Sequence, residues 1–375
     1  MKIKAAVVYR PNDPYVIEEV DLAPPEEDEV LVKIAASGVC HTDYAVTSGE
    51  IPIAQIHPVV PGHEGAGVVE SVGSGVTDFA PGDRVCMSFS YCNECYSCIT
   101  GRPYECEKNG LLNFGGRCYD GTTRLTKETS GHSPGGASGR ETVELSNFFN
   151  QSSFATYSVT HRNNLVKVPD DIDLRLTGPL GCGLQTGAGA VLNYLKPEPG
   201  SSIVIIGCGA VGMSALMAAG ISGCSTIVAV DTIDSRLELA QELGATHAVN
   251  AAKTEIAAAV RDVTNGRGVN YAFNATGSGK TARAAIECTD LFGKIAVLCG
   301  DKDGELGFMA SRVVRGITEG LSIPGLFIPQ LIRYYKEGLY PFDKLVEFYE
   351  FENINEAIAD SLSGKTIKPI LLMDN

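Results

Sequence analysis

A chain of 375 residues, 44% of them hydrophobic, carries enough apolar material for more than one core, so two domains are expected. A net charge of −15 leaves no basic face for nucleic acid or an anionic membrane and argues against both as partners. The N-terminal MKIKAAVVYRPNDPYVIEEV has too short an apolar run for a secretory signal, so a reducing cytoplasm is the expected setting. There, cysteines serve as metal ligands or core residues more often than as disulfides.

The first part of the chain reads as short strands broken by turns: KAAVVY, EVLVKIAASG and the Gly- and Pro-punctuated GAGVVESVGSGVTDFAPGDRV. Residues 107–151 read as a long polar, glycine-rich connection, an excursion over the surface or a lid. From about Gly187 the texture changes to strand–helix alternation. SIVIIG leads to a helix over Met213–Ala219, then TIVAVD, a helix over Ser235–Leu243, and the later strands VNYAFNATG and KIAVLCG. Such alternation predicts a parallel sheet covered on both faces. The tail holds helices near Ile328–Glu337 and Ile354–Ser363 and a last strand, IKPILLM. Ser201–Val230 has no charge and is long enough to span a bilayer, but its five glycines and absent basic flanks favour a buried βαβ unit.

GCGAVG, Gly207 to Gly212, matches GxGxxG directly after an apolar strand and at the opening of a helix. Gly207 suits the tight turn, Gly209 the close approach of a pyrophosphate, and Gly212 the packing of helix on strand. Ala210 and Val211 begin a helix whose free N–H groups face the phosphates. Asp231 ends the second strand about twenty residues on, where a carboxylate accepts ribose hydroxyls and repels a 2′-phosphate. NAD is therefore expected, although Arg236 is close enough in sequence to offer a 2′-phosphate a partner.

YCNECYSCITGRPYEC places Cys92, Cys95, Cys98 and Cys106 within one short segment. Four thiolates fill a tetrahedral zinc shell and leave no open position, so such an ion is structural. An iron–sulfur cluster also takes four cysteines, but the chain's electron acceptor already reads as a dinucleotide. A second set is scattered. GVCHTD holds Cys40, Thr42 and Asp43, PGHEGAG holds His63 and Glu64, and GPLGCGLQTG holds Cys182. A Cys/His/Cys set leaves one zinc position open for water or substrate.

Taken together, GHEGAG, the four-cysteine lobe, the glycine motif with its following Asp, and the tail FENINEAIADSLSGKTIKPILL resemble the zinc-dependent medium-chain alcohol dehydrogenases over essentially the full length. GCGLQTGAGA and QSSFATY are most similar to the aryl-alcohol, or benzyl alcohol, branch. The resemblance implies an α/β and β-rich two-domain fold. A GroES-like catalytic domain would span 1–183 and 319–375, with its structural-zinc lobe at 91–107. A Rossmann doubly wound parallel-sheet NAD-binding domain would span 184–318.

It also implies two zinc ions per chain, one on Cys40, His63 and Cys182 with Glu64 as an alternate ligand, the other in the lobe. Asp43 would orient His63, and Thr42 would pass the alcohol proton toward the cofactor ribose. His41 and Lys368 would lie near the pyrophosphate and Thr186 against the nicotinamide. Phe89, Phe148 and Phe149 fall where the family places pocket walls, which favours a benzyl or allylic primary alcohol, although all three are equally suited to a core. Relatives often carry a histidine a few residues after the first ligand to end the proton relay; here Tyr44, Ala45 and Val46 stand there, leaving solvent or a group such as His57.

The expected reaction is reversible oxidation of the alcohol to its aldehyde by hydride transfer to NAD. A general aliphatic alcohol dehydrogenase and a non-catalytic dinucleotide-binding protein are the alternatives. Association as a homodimer or homotetramer is implied, through an edge strand near KIAVLCG.

Overall fold

The computed structural model describes residues 1–51, 56–132, 138–298 and 311–373. The chain divides into two compact units, Met1–Cys182 with Leu345–Asn375, and Gly183–Lys344.

The first unit is built on a seven-stranded sheet. Its central strand, Glu29–Gly38, is buried along nearly its whole length, as an apolar run covered on both faces must be. It pairs antiparallel with Gly65–Val72, with Tyr157–His161 and with the C-terminal strand Lys368–Leu372. Those pairings bring the segments after Gly38, before Gly65 and at Lys368 to one end of the sheet.

Residues 107–151, expected as an irregular excursion or lid, instead contain an antiparallel hairpin. Leu125–His132 pairs with Ser138–Leu145, and the hairpin extends the N-terminal strands Lys2–Val7 and Val16–Leu22 into a four-stranded sheet. The alternation of LTKETSGH is hard to see because, among the described residues, Leu125 and Leu145, paired at its base, are buried while Thr126, Lys127, Glu128 and Thr129 are not. A buried ion pair ties down that base: Arg124 Nε lies 2.7 Å from a Glu29 carboxylate oxygen.

The second unit is a six-stranded parallel sheet, with strands in the order His247–Asn250, Thr226–Asp231, Ser202–Ile206, Val269–Asn274, Thr289–Val297 and Val313–Gly316. The uncharged run becomes a strand, a turn, the helix Ala210–Ile221 and a second strand. Residues 212–219 of that helix are all buried, which explains the missing charge. Among the described residues no helix is long and apolar enough to cross a membrane.

Two expectations change. The strand containing KIAV is internal, and among the described residues the edges of the sheet are His247–Asn250 and Val313–Gly316. Residues 319–344, assigned from sequence to the catalytic domain, pack in the second unit. Ser322 Oγ donates to Gln185 Oε1 at 2.9 Å, and a Cβ on Gly189 would stand 2.1 Å from the Gly320 carbonyl oxygen. Cys299, given no role, lies outside the described residues.

Candidate metal centres and dinucleotide site

The lobe cysteines converge as their spacing predicts. The sulfurs of Cys92, Cys95, Cys98 and Cys106 all lie within 4.8 Å of one another. None is a disulfide: Cys92 and Cys106 sulfurs are 3.5 Å apart, against about 2.0 Å for a bond. Backbone N–H groups point at the cluster, from Cys95 to Cys92 Sγ and from Cys92 to Cys106 Sγ, as suits thiolates. The backbone N–H groups of Glu107 and Cys98 pull the Cys95 thiol down to about 6. Burial pushes Cys98 and Cys106 the other way. Four thiolates at this separation require a compensating cation, and zinc fits.

The second set is assembled from three distant segments. Cys40 caps the short helix His41–Thr47, His63 and Glu64 precede the strand Gly65–Val72, and Cys182 follows the turn Gly178–Gly181. Their ligand atoms also lie within 4.8 Å of one another. Asp43 sets the geometry. One oxygen accepts the backbone N–H of Cys40 at 3.0 Å; the other accepts Gly62 N–H at 3.1 Å and meets His63 Nδ1 at 2.8 Å. His63 Nε2 is thereby aimed at Cys182 Sγ, 3.2 Å away. Thr42 Oγ1 lies 3.7 Å from Cys40 Sγ, and His41 is exposed at the helix start.

Electrostatics point to a cation here as well. The Cys182 hydrogen bond, with help from His63, holds Cys40 well below the usual thiol range. Burial works against charge on His63, but the Asp43 carboxylate and the Cys40 thiolate hold it well above the usual imidazole value. A proton on that ring occupies the place a metal ion takes. Replacing Asp43 with Asn keeps the shape but removes the charge that orients the ring. Asp43→Asn is expected to weaken zinc at this set by about 10–100-fold, measured by competition with a chelator.

Lys368, expected near the cofactor phosphates, is bonded to Glu64 beside the metal ligands. Its ammonium donates to both Glu64 oxygens, at 3.0 and 2.9 Å, and to the Val39 carbonyl at 3.0 Å, which uses all three protons. Burial opposes its charge, but Glu64 holds its pKa above the usual lysine value. The pair neutralises the Glu64 carboxylate beside the metal ligands. Gly38 leaves the room, since a Cβ there would stand 2.1 Å from Glu64 Oε2.

Phe89, Phe148 and Phe149 are all buried. Phe89 packs against Tyr91, whereas Phe148 and Phe149 flank the His63 imidazole with ring centroids at 5.4 and 4.5 Å. Phe149 has φ of +53°, an uncommon left-handed conformation for a bulky residue that costs about 1–3 kcal/mol. Nothing in the residue pattern signals that strain, because Phe149 carries no glycine-like signature.

In the second unit Gly207 has φ of +94°, and a Cβ on Gly212 would stand 1.7 Å from the Gly207 carbonyl oxygen. Nothing lies within 4 Å of where a Gly209 Cβ would be, so the backbone there is open to a phosphate. Ala210 and Val211 form the first turn of the helix. The Asp231 carboxylate accepts N–H groups from Cys208, Thr232 and Ile233 and lies 3.9 Å from Arg236. Thr186 sits in the helix Gly183–Gly189, which packs on the glycine motif's helix through Gly187 and the Val211 carbonyl.

Residues 26–170 match the model of the alcohol dehydrogenase GroES-like domain, and residues 210–339 match that of the zinc-binding dehydrogenases. The chain belongs to the zinc-containing medium-chain alcohol dehydrogenase family. This alcohol dehydrogenase is 40% identical to geraniol dehydrogenase of Castellaniella defragrans, over 98% of this chain and 97% of that one. It is 36% identical to the class-3 alcohol dehydrogenase of Myxine glutinosa, over 98% and 97%. Among solved structures, benzyl alcohol dehydrogenase from Acinetobacter calcoaceticus is 41% identical with a TM-score of 0.90, covering 100% of both chains. An alcohol dehydrogenase zinc-binding domain protein from Burkholderia ambifaria is 44% identical, with the same TM-score and coverage. A Cys/His/Cys zinc site with one open position is the known arrangement of alcohol dehydrogenases. The enzyme is thus a zinc-dependent alcohol dehydrogenase with a structural four-cysteine zinc site, a catalytic zinc site and the NAD(P) dependence typical of the family.

Proposed function

We propose that this enzyme oxidises aromatic or allylic primary alcohols, such as benzyl alcohol, reversibly to their aldehydes with NAD as hydride acceptor. The carrying observation is the pair of rings, Phe148 and Phe149, set against the ligand His63. Buried aromatic packing around a metal ligand makes its surroundings apolar, which favours an apolar substrate through burial. The relatives named for geraniol and benzyl alcohol are consistent with that preference. Zinc bound at Cys40, His63 and Cys182 supplies Lewis acidity that makes an alcohol hydroxyl easier to deprotonate.

The protein's own groups do the rest. Asp43 holds the His63 tautomer, and the Thr42 hydroxyl, near Cys40, would accept the alcohol proton while passing its own on toward the cofactor ribose. His41, exposed at the helix start, serves the pyrophosphate, and Thr186 serves the nicotinamide. NAD is favoured over NADP because Asp231, fixed by three backbone N–H groups, presents negative charge where a 2′-phosphate would sit. Association as a homodimer or homotetramer would use an edge strand such as Val313–Gly316, unpaired on one side among the described residues.

The test is a steady-state comparison of alcohols with both cofactors. Burying a phenyl group is worth about 3 kcal/mol, so kcat/KM for benzyl alcohol is expected to exceed that for ethanol by about 100-fold, with NAD preferred. Equal values for the two alcohols would favour the aliphatic reading.

A further inference from the structure

The helix Asn109–Phe114 begins three residues after Cys106 and ends against the aromatic pair on His63, so one short element reaches both metal sets. Its start is fastened to the lobe by the Asn109 N–H, which donates to the Cys106 carbonyl at 2.9 Å. Near its end Asn113 is 1% exposed, and its amide is fully used. Oδ1 accepts the Ser90 N–H at 2.8 Å, while Nδ2 donates to the carbonyls of Ser90 at 3.0 Å and Asn109 at 3.1 Å. The Asn113 carbonyl accepts the N–H of Phe149 at 3.1 Å.

Ser90 closes the circuit. Its hydroxyl donates to the Phe149 carbonyl at 3.0 Å and accepts from Asn164 Nδ2 at 2.8 Å. Phe114 adds a ring 5.2 Å from that of Phe149. Both backbone polar groups of the left-handed Phe149 are therefore tied to residues flanking the cysteine lobe, Ser90 before it and Asn113 after it. A buried carboxamide is costly to desolvate and less favourable here than leucine unless its bonds fix a geometry. The geometry they fix is a strained one. Untied, Phe149 would relax toward an ordinary backbone conformation and carry its ring off the imidazole.

We propose that Asn113 is a positioning residue that transmits the fold of the four-cysteine lobe to Phe149, and so steadies His63 as a zinc ligand. This rests on the assignment of Cys40, His63 and Cys182 as the catalytic zinc set and not on the choice of substrate.

The test uses holoenzyme with both zinc ions, in wild type, Asn113→Asp and Ser90→Ala. Asn113→Asp keeps the shape and the Ser90 N–H bond but sets a carboxylate oxygen against the two carbonyls it formerly bonded. Ser90→Ala removes the hydroxyl that reaches Phe149 and accepts from Asn164, and leaves Asn164 Nδ2, 3.1 Å from the Phe149 carbonyl, as that carbonyl's remaining donor. A chromogenic chelator reports release of the open-site zinc, and later addition of a thiol-modifying reagent reports the caged zinc. Asn113→Asp is expected to release the open-site zinc at least about 10-fold faster, with the caged zinc leaving at the wild-type rate. KM for benzyl alcohol should rise by a larger factor than kcat falls, and Ser90→Ala should move every reading the same way by less. Wild-type release in both variants would overturn the proposal. So would equal acceleration of both zinc ions, which would assign Asn113 to the lobe's own folding. If Asn113→Asp does not fold, Ser90→Ala decides alone. Zinc release needs no substrate, so a failed substrate assignment would leave this result standing.

Discussion

Cys182→Ser is expected to lower kcat/KM on the order of 1000-fold, because the Lewis-acid contribution lost is worth several kcal/mol. The substitution replaces a thiolate beside His63 Nε2 with a hydroxyl that stays protonated at neutral pH and binds zinc poorly. The rest of the site keeps its shape, since Asp43 still holds His63 and Lys368 still holds Glu64. Zinc content should fall from two ions per chain to one, with little change in thermal unfolding. Two ions and wild-type turnover in this variant would remove Cys182 from the catalytic set.

Cys98→Ser reads out the other metal. The lobe's own core is slight: buried Cys98, Cys106 and Leu112, with Tyr91, Cys92, Cys95 and Tyr119 packed around them. So small an apolar cluster does not order a segment without a staple, and the ion supplies much of its folding free energy. Loss of one sulfur is expected to empty the cage and lower the unfolding temperature by roughly 5–15 °C, as calorimetry would detect. Turnover should fall as well, since the lobe flanks the segments that hold Phe149. A variant that loses the ion yet unfolds at the wild-type temperature would show that the cage is not structural.

What can be read from the residues alone tracks how local each feature is. The cage lies within one segment, and GCGAVG lies between a strand and a helix it helps to join, so both carry their geometry in their spacing. The second metal set is legible only piecewise; the pairing of Glu29–Gly38 with Gly65–Val72 joins the segments of Cys40 and His63, and Cys182 arrives through the close approach of Gly178 to the Glu64 carbonyl, neither of which a local pattern encodes. The hairpin at Leu125–Leu145 escapes a pattern reading because its strands are polar at most positions and its two fully buried apolar residues among those described sit at its base. The expected boundary at 319 is displaced because Gly320 and Ser322 dock on Gly189 and Gln185, contacts that depend on close approach between glycines far apart in sequence. Lys368 reads as a cation for phosphate, and its pairing with a buried carboxylate 304 residues away leaves no mark in the local sequence.

The separation of the two metal sets along the chain carries one more consequence, for the order in which they form. The thiolate cage closes over a single short loop, whereas the other set must wait until residues 40, 63 and 182 have been gathered by the finished sheet. Joining ends that far apart demands more chain entropy before any bond repays it. During synthesis the cage can therefore capture its ion while most of the polypeptide is still unmade, whereas the other set cannot form until residue 182 has been made and its sheet has closed.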